Sequence, residues 1–349
     1  MVPMILPWQE AAWERLTQGL PTLHHALLLA GPAGQGKRQF AEAAAWRLLC
    51  EAPSPRRFAC GECVGCQWLR ADNHPDLLRL VPEQESEGSE EAEGKEAGKA
   101  KSHQIRIDQV RALTPVLAVS AHGGGRRVII VDPAEAMNPF TANALLKLLE
   151  EPPAGVVFLL VSAQPMRLLP TLRSRCQRWD FPLPEADAVL AWLRAHHPQT
   201  PAELLDLVGG APLTAAALAE KGGQALRERL VADLRQRPPA DPVRLAGQWE
   251  NWLRSKEAQG AGLDMATLVA WVQRWVTDVA SVRLGGSARY FPDQARPLAA
   301  LAGVMSVADA LACYNEFIAL RRVAQHPLNP RLMLEDMLIR YGRMLGGGG

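Results

Sequence analysis

The chain has 349 residues, 48% of them hydrophobic and 21% charged, and its 38 Lys and Arg against 37 Asp and Glu leave a formal net charge of +1. That is the composition of a globular protein with room for two or three domains, and it excludes a disordered chain. It gives no global electrostatic argument for a nucleic-acid or membrane partner, and no run of ~18 apolar residues is present to span a bilayer.

The opening stretch MVPMILPWQEAAWERL lacks a basic region followed by an apolar one, so a cytoplasmic protein is expected. Residues 24–30 form a short apolar run that ends at Gly31, and residues 38–49 read as a helix. Between them lies GPAGQGKR, close to the phosphate-loop pattern G-x-x-x-x-G-K-[ST]. In that geometry Gly31, Gly34 and Gly36 let backbone N–H groups face phosphate oxygens at a helix N-terminus, and Lys37 neutralises the outer phosphates. The last position departs from the pattern. Its Ser or Thr hydroxyl normally holds Mg²⁺, whereas the Arg38 guanidinium has five donors and no acceptor. The sequence therefore leaves ATP binding in doubt, and a glycine-rich turn that binds nothing is the plain alternative.

Cys50, Cys60, Cys63 and Cys66 follow directly, with two residues between successive members of the last three. In a reducing compartment such a cluster is a metal site more often than a pair of disulfides. Four thiolates suit a tetrahedral Zn²⁺ with no open position, so the site would be structural; an iron–sulfur cluster is the rival. Residues 77–81 read as a second strand. After them the composition turns to EQESEGSEEAEGKEAGK, and residues 83–101 are expected to be a disordered acidic surface insert.

Residues 127–131 are a third strand, and Asp132 at its end is the acid that would support Mg²⁺. The next position, a water-polarising glutamate in hydrolytic relatives, is Pro133, and Glu135 could substitute only along a different backbone path. Asn138 and Pro139 make a helix start, and Pro152-Pro153 ends the helix. A fourth strand covers 156–161. Strands alternating with helices predict an α/β domain over residues 1–182 with a parallel sheet. Just after the fourth strand, Ser174 and Arg175 lie in TLRSRC, where Arg175 is either a surface cation or a finger reaching the γ-phosphate held by a neighbouring subunit. Cys176 reads as a packed thiol.

Past Pro182 the strand signals stop. Short helices over 185–196, 202–208 and 213–221 predict a small helical domain at 183–224, and longer helical patterns an all-α domain at 225–349. Leu268, Val269, Val272, Trp275, Val276 and Val279 share one helix face, and Trp249, Trp252, Trp271 and Trp275 are expected to fill core or interface.

GPAGQGKR, the four cysteines, VIIVD, NALLKLLEEPP, RSRC and LNPRLMLEDMLIR, in this order, resemble the bacterial DNA polymerase III clamp-loader family of the AAA+ class. The resemblance covers the first 180 or so residues most closely. It implies an AAA+ α/β P-loop domain followed by a helical lid and a helical collar. It further implies a pentameric ring with delta and gamma/tau subunits that loads the sliding clamp onto primed DNA. The four cysteines match zinc ligands, and Arg175 in Ser-Arg-Cys matches the finger presented to ATP on an adjacent gamma/tau subunit. ATPase members carry an arginine in the lid, where this sequence has Leu213. With Arg38 and Pro133, that is a third hydrolytic part missing, as in the ring member called the stator. An autonomous zinc-containing P-loop ATPase or nucleotide kinase is the competing function, and a zinc-dependent DNA-binding module a weaker one, since no basic helix lies beside the cysteines.

Overall fold

The computed structural model describes residues 2–52, 57–82, 104–119, 121–122, 125–236, 241–324 and 329–346, so the acidic insert expected at 83–101 lies outside the described residues. The chain divides into two compact units, Met1–Ala188 and Val189–Gly349.

The first unit is built on five parallel strands: β1 Ala26–Ala30, β2 Leu77–Leu80, β3 Arg127–Val131, β4 Val156–Ser162 and β5 Gln177–Asp180. Their order is β2-β3-β4-β1-β5. β1, β3 and β4 are buried along their whole length, which is why they read as unbroken apolar runs: a parallel sheet covered on both faces leaves no polar side. The side chains still alternate. Leu27, Leu29, Val128, Ile130 and Leu159 face one layer with Trp13 of α1 (Glu10–Gln18) and Phe40 of α2 (Lys37–Leu49). Leu28, Ile129, Val131, Phe158 and Leu160 face the other, packed with Leu113 of α4 (Ile107–Leu117) and Leu145 of α5 (Pro139–Glu150). The short helix α3 (Val64–Arg70) follows α2 through the cysteine loop. α5 starts as its sequence predicts, with the Asn138 side chain accepting the Thr141 N–H at 2.9 Å and Pro139 in the first turn.

β5 has no counterpart among the sequence-predicted strands. It is the edge strand beside β1, reached through the four-residue helix α6 (Pro170–Arg173), and Trp179 is its one buried side chain. Such a strand is polar by design, since charge on an edge discourages further pairing, so it carries little hydrophobic signal.

Among the described residues the rest is helical: α7 Ala186–His196, which crosses the division between the units, then α8 Ala202–Leu207, α9 Pro212–Glu220, α10 Gly223–Leu234, α11 Pro242–Leu253, α12 Lys256–Gly260, α13 Met265–Arg283, α14 Ala295–Ala302, α15 Val307–Val323 and α16 Pro330–Gly346. In the second unit the predicted face of α13 is buried throughout, as are Trp249, Trp252, Trp271 and Trp275. Leu204 and Leu207 of α8 belong to the same apolar cluster as these tryptophans, so the segments 183–224 and 225–349 share one core. Tyr341 ties it together: its hydroxyl accepts the Trp275 Nε1–H at 3.0 Å and donates to Leu234 O at 2.6 Å. Among the described residues no helix is long and apolar enough to cross a membrane.

Candidate functional site

All five predicted nucleotide-site residues, Gly31, Gly34, Gly36, Lys37 and Asp132, gather at the C-terminal ends of β1 and β3. β1 ends at Ala30, the loop turns, and Gly36 caps α2 with φ 81°, a left-handed conformation that a side chain would strain. The glycines are also required by space. A Cβ at Gly31 would lie 2.0 Å from Phe181 O, and one at Gly36 would lie 2.3 Å from Leu6 Cδ1.

The charged groups of the loop are turned inward. Lys37 is 5% exposed and donates to Gly31 O at 2.7 Å and Pro32 O at 2.6 Å. Burial lowers its pKa, opposed by the Glu135 and Asp132 carboxylates nearby. Arg38 places Nε 3.4 Å from Asp132 Oδ2, so the side chain that replaced the metal-binding hydroxyl brings a positive charge to the acid the metal would have shared. Glu135 Oε1 accepts the Ala163 N–H at 2.9 Å beyond the end of β4, and Oε2 is buried with no hydrogen-bond partner among the described residues. Of the two carboxylates beside Lys37, Asp132 faces the Arg38 guanidinium and Glu135 is tied to the end of β4, and no hydroxyl stands at position 38 to share a metal with them.

Two residues absent from the sequence reading hold this loop. Trp8 Nε1 donates to Gln35 O at 3.1 Å, while Gln9 Nε2 donates to Gln35 O at 3.0 Å and Gly36 O at 2.9 Å. A Trp-Gln pair after a proline carries no recognisable pattern for such a bond, because the acceptors are backbone carbonyls.

At the far end of α2 the four cysteines come together, their sulfur atoms within 4.8 Å of one another. Cys50 caps α2, Cys63 caps α3, and Cys66 is buried in α3. The Cys60 and Cys66 sulfurs are 3.8 Å apart. A tetrahedron with Zn–S bonds of ~2.3 Å has edges of about 3.8 Å, so the donor set fits that ion. The backbone agrees: the N–H groups of Glu62 and Cys63 point at Cys60 Sγ at 3.4 and 3.3 Å and draw its pKa down to about 6. Burial pushes Cys50 and Cys66 the other way, and a dication is what would let all four ionise together.

Ser174 and Arg175 stand apart from both. They lie between α6 and β5, and β5 pairs with β1 in the register Leu27↔Gln177. Arg175 sits in the turn just before β5, at the end of the sheet where β1 starts, whereas Gly31 follows the other end of β1. Its Nη2 is 2.6 Å from Glu150 Oε1 and its Nη1 donates to Thr171 O at 3.0 Å, with the side chain one-third exposed. Ser174 Oγ donates to Thr171 O at 3.0 Å. Cys176 is packed, its thiol pushed up to about 12 by burial, as expected of a structural cysteine.

The family model described as DNA polymerase III, delta subunit matches residues 8–185. DNA polymerase III subunit delta' of Pseudomonas aeruginosa is 38% identical over 356 residues, 99% of each chain. The subunit of that name from Escherichia coli K12 is 30% identical over 98% of this chain and 96% of its own. Among solved structures, a DNA polymerase III gamma subunit-related protein from Thermotoga maritima covers 95% of this chain and 99% of its own, with 19% identity and a TM-score of 0.47.

Proposed function

This chain belongs to the delta-prime subunit family of DNA polymerase III, and we propose that it is the stator of a clamp loader, turning over no ATP itself and lending Arg175 to the ATP of a neighbouring gamma/tau subunit. The observation that carries this reading is the Arg38–Asp132 pair. A P-loop ATPase needs Mg²⁺ between a hydroxyl and that acid. A guanidinium at the acid removes both the ligand and the charge vacancy, and Lys37 is spent on the loop's own carbonyls.

Arg175 is supported differently. It stands at the end of the sheet where β1 begins, whereas its own phosphate loop follows the other end of β1, so a phosphate it meets belongs to another molecule. Glu150 holds the guanidinium ready and is exchanged for the phosphate on docking. Residues 1–182 are then the AAA+ domain, 183–224 the lid and 225–349 the collar that joins delta and gamma/tau in a pentameric ring in the cytoplasm. Through that ring the sliding clamp reaches primed DNA. Zn²⁺ at Cys50, Cys60, Cys63 and Cys66 is structural.

The purified chain should show negligible ATP hydrolysis. Turnover that disappears in Lys37→Ala would instead favour the autonomous zinc-containing ATPase or kinase. In a reconstituted loader, Arg175→Ala should slow hydrolysis at the one site it serves by about 10³-fold while the subunits still co-elute. Single-turnover measurements giving the same rates with wild-type and altered subunit would refute the finger.

A further inference from the structure

The turn between Cys60 and Cys63 is held from outside by two side chains of α3. Arg70, in the last turn of that helix, donates from Nη2 to Gly61 O at 2.7 Å. Gln67, one turn earlier on the same helix face, donates from Nε2 to Glu62 O at 2.9 Å. Both residues are exposed, whereas the apolar contacts of α3 are made by Cys66 and Leu69, so neither is there to fill the core.

Each of these carbonyls belongs to a peptide group whose other end matters. A trans peptide is planar, with its C=O and N–H pointing in opposite directions. The group that begins with Gly61 O ends in the Glu62 N–H, and the group that begins with Glu62 O ends in the Cys63 N–H. Those are the two N–H groups that point at Cys60 Sγ, at 3.4 and 3.3 Å. Donors on the carbonyl side fix both planes and strengthen both N–H groups by polarising the peptide between them. Cys63 Sγ is served by the helix instead, since the Cys66 N–H that meets it at 3.4 Å lies within α3. Gly61, at φ 75°, makes the bend that presents its carbonyl to Arg70.

We propose that Gln67 and Arg70 are positioning residues for the metal centre: through these two peptide groups they stabilise the charge on the Cys60 sulfur, and so set how firmly the turn keeps its ion. The inference rests on the reading of Cys50, Cys60, Cys63 and Cys66 as a Zn²⁺ site. Four thiolates around a dication leave the centre anionic, and the Arg70 guanidinium brings the opposite charge to the turn that holds it.

The test uses the zinc-loaded full-length protein and its cobalt-substituted form. In competition with a chromophoric chelator, Gln67→Met and Arg70→Met should each weaken zinc binding by about 10- to 100-fold, the range found for groups that orient a ligand from behind. The cobalt protein reports on the sulfur itself: loss of N–H donation raises the energy of the thiolate electrons, so the sulfur-to-metal charge-transfer band should move to longer wavelength in both variants. Arg70→Lys, which keeps a charged donor, should recover most of both changes. Zinc held as tightly by both variants as by the wild type overturns the proposal. So does weakened binding with an unmoved band, because looser packing of α3 would produce that without touching the sulfur. A wild-type protein that takes up no zinc refutes the zinc reading itself, and the proposal with it.

Discussion

A hydroxyl at position 38 would leave Asp132 open to a metal; arginine there supplies its own charge 3.4 Å away. This change was readable in the sequence because it alters the inventory of donors and acceptors, and Pro133 was readable for the same reason. The bonds of Lys37, Trp8 and Gln9 were not, since a backbone carbonyl accepts from any donor brought near it. The buried Arg127 shows what such charges need. Its Nε and Nη2 donate to Asp76 Oδ1 at 2.9 and 2.8 Å, and its Nη1 reaches Val116 O and Val119 O, while Asp76 Oδ2 accepts the His122 N–H. Asp76→Asn leaves that guanidinium uncompensated and should destabilise the protein by about 3–5 kcal/mol in denaturant titrations. A loss below ~1 kcal/mol would mean that water reaches the pair. His25 offers a pH test. Burial and the adjacent His24 hold its pKa below the ordinary value, so the fold keeps it neutral where the unfolded chain binds a proton. Stability is therefore lost as pH falls below about 6.5, and the melting temperature of the wild type should drop more between about pH 7 and about pH 5.5 than that of His25→Gln.

Among the elements, those with a hydrophobic or punctuation signal were legible and those defined by pairing were not. β1, β3 and β4 are apolar throughout, and α5 has both its cap and its terminating prolines in the sequence. β5 is recognisable only through its ladder to β1, because Gln177, Arg178 and Asp180 face solvent. The cysteine knuckle was legible from spacing alone, yet the packing that supports it is thin: α3 has seven residues, of which Gly65, Cys66 and Leu69 are buried. Metal binding of about 10 kcal/mol, typical of small zinc modules, would dominate its order. Chelation, or Cys66→Ser, should accordingly raise amide exchange over residues 50–70 while β1, β3 and β4 stay protected. Uniform loss of protection through the first unit, or none anywhere, would contradict a local structural role.

For the whole molecule, strand signals in the sequence end after Pro182, and the compact units divide at Ala188. The expected boundary at 224 rests on a change in helix length; Leu204 and Trp275, on either side of it, belong to one apolar cluster. The second unit has its own apolar cluster and none of the four clustered cysteines, so a fragment of residues 183–349 should fold alone, with a melting temperature indifferent to chelators. A fragment of residues 1–182 should lose stability when the ion is withdrawn. A chelator-sensitive 183–349 fragment would show that the two cores are not independent. β1, finally, does two jobs at its two ends: it launches the phosphate loop, and through its ladder to β5 it sets the height of Arg175. The sheet is therefore a ruler engraved in hydrogen bonds. A slip of one rung would shift β5, and the turn that carries Arg175 into it, by about 3.3 Å against β1, so the spacing between that turn and the phosphate loop is as rigid as the sheet itself.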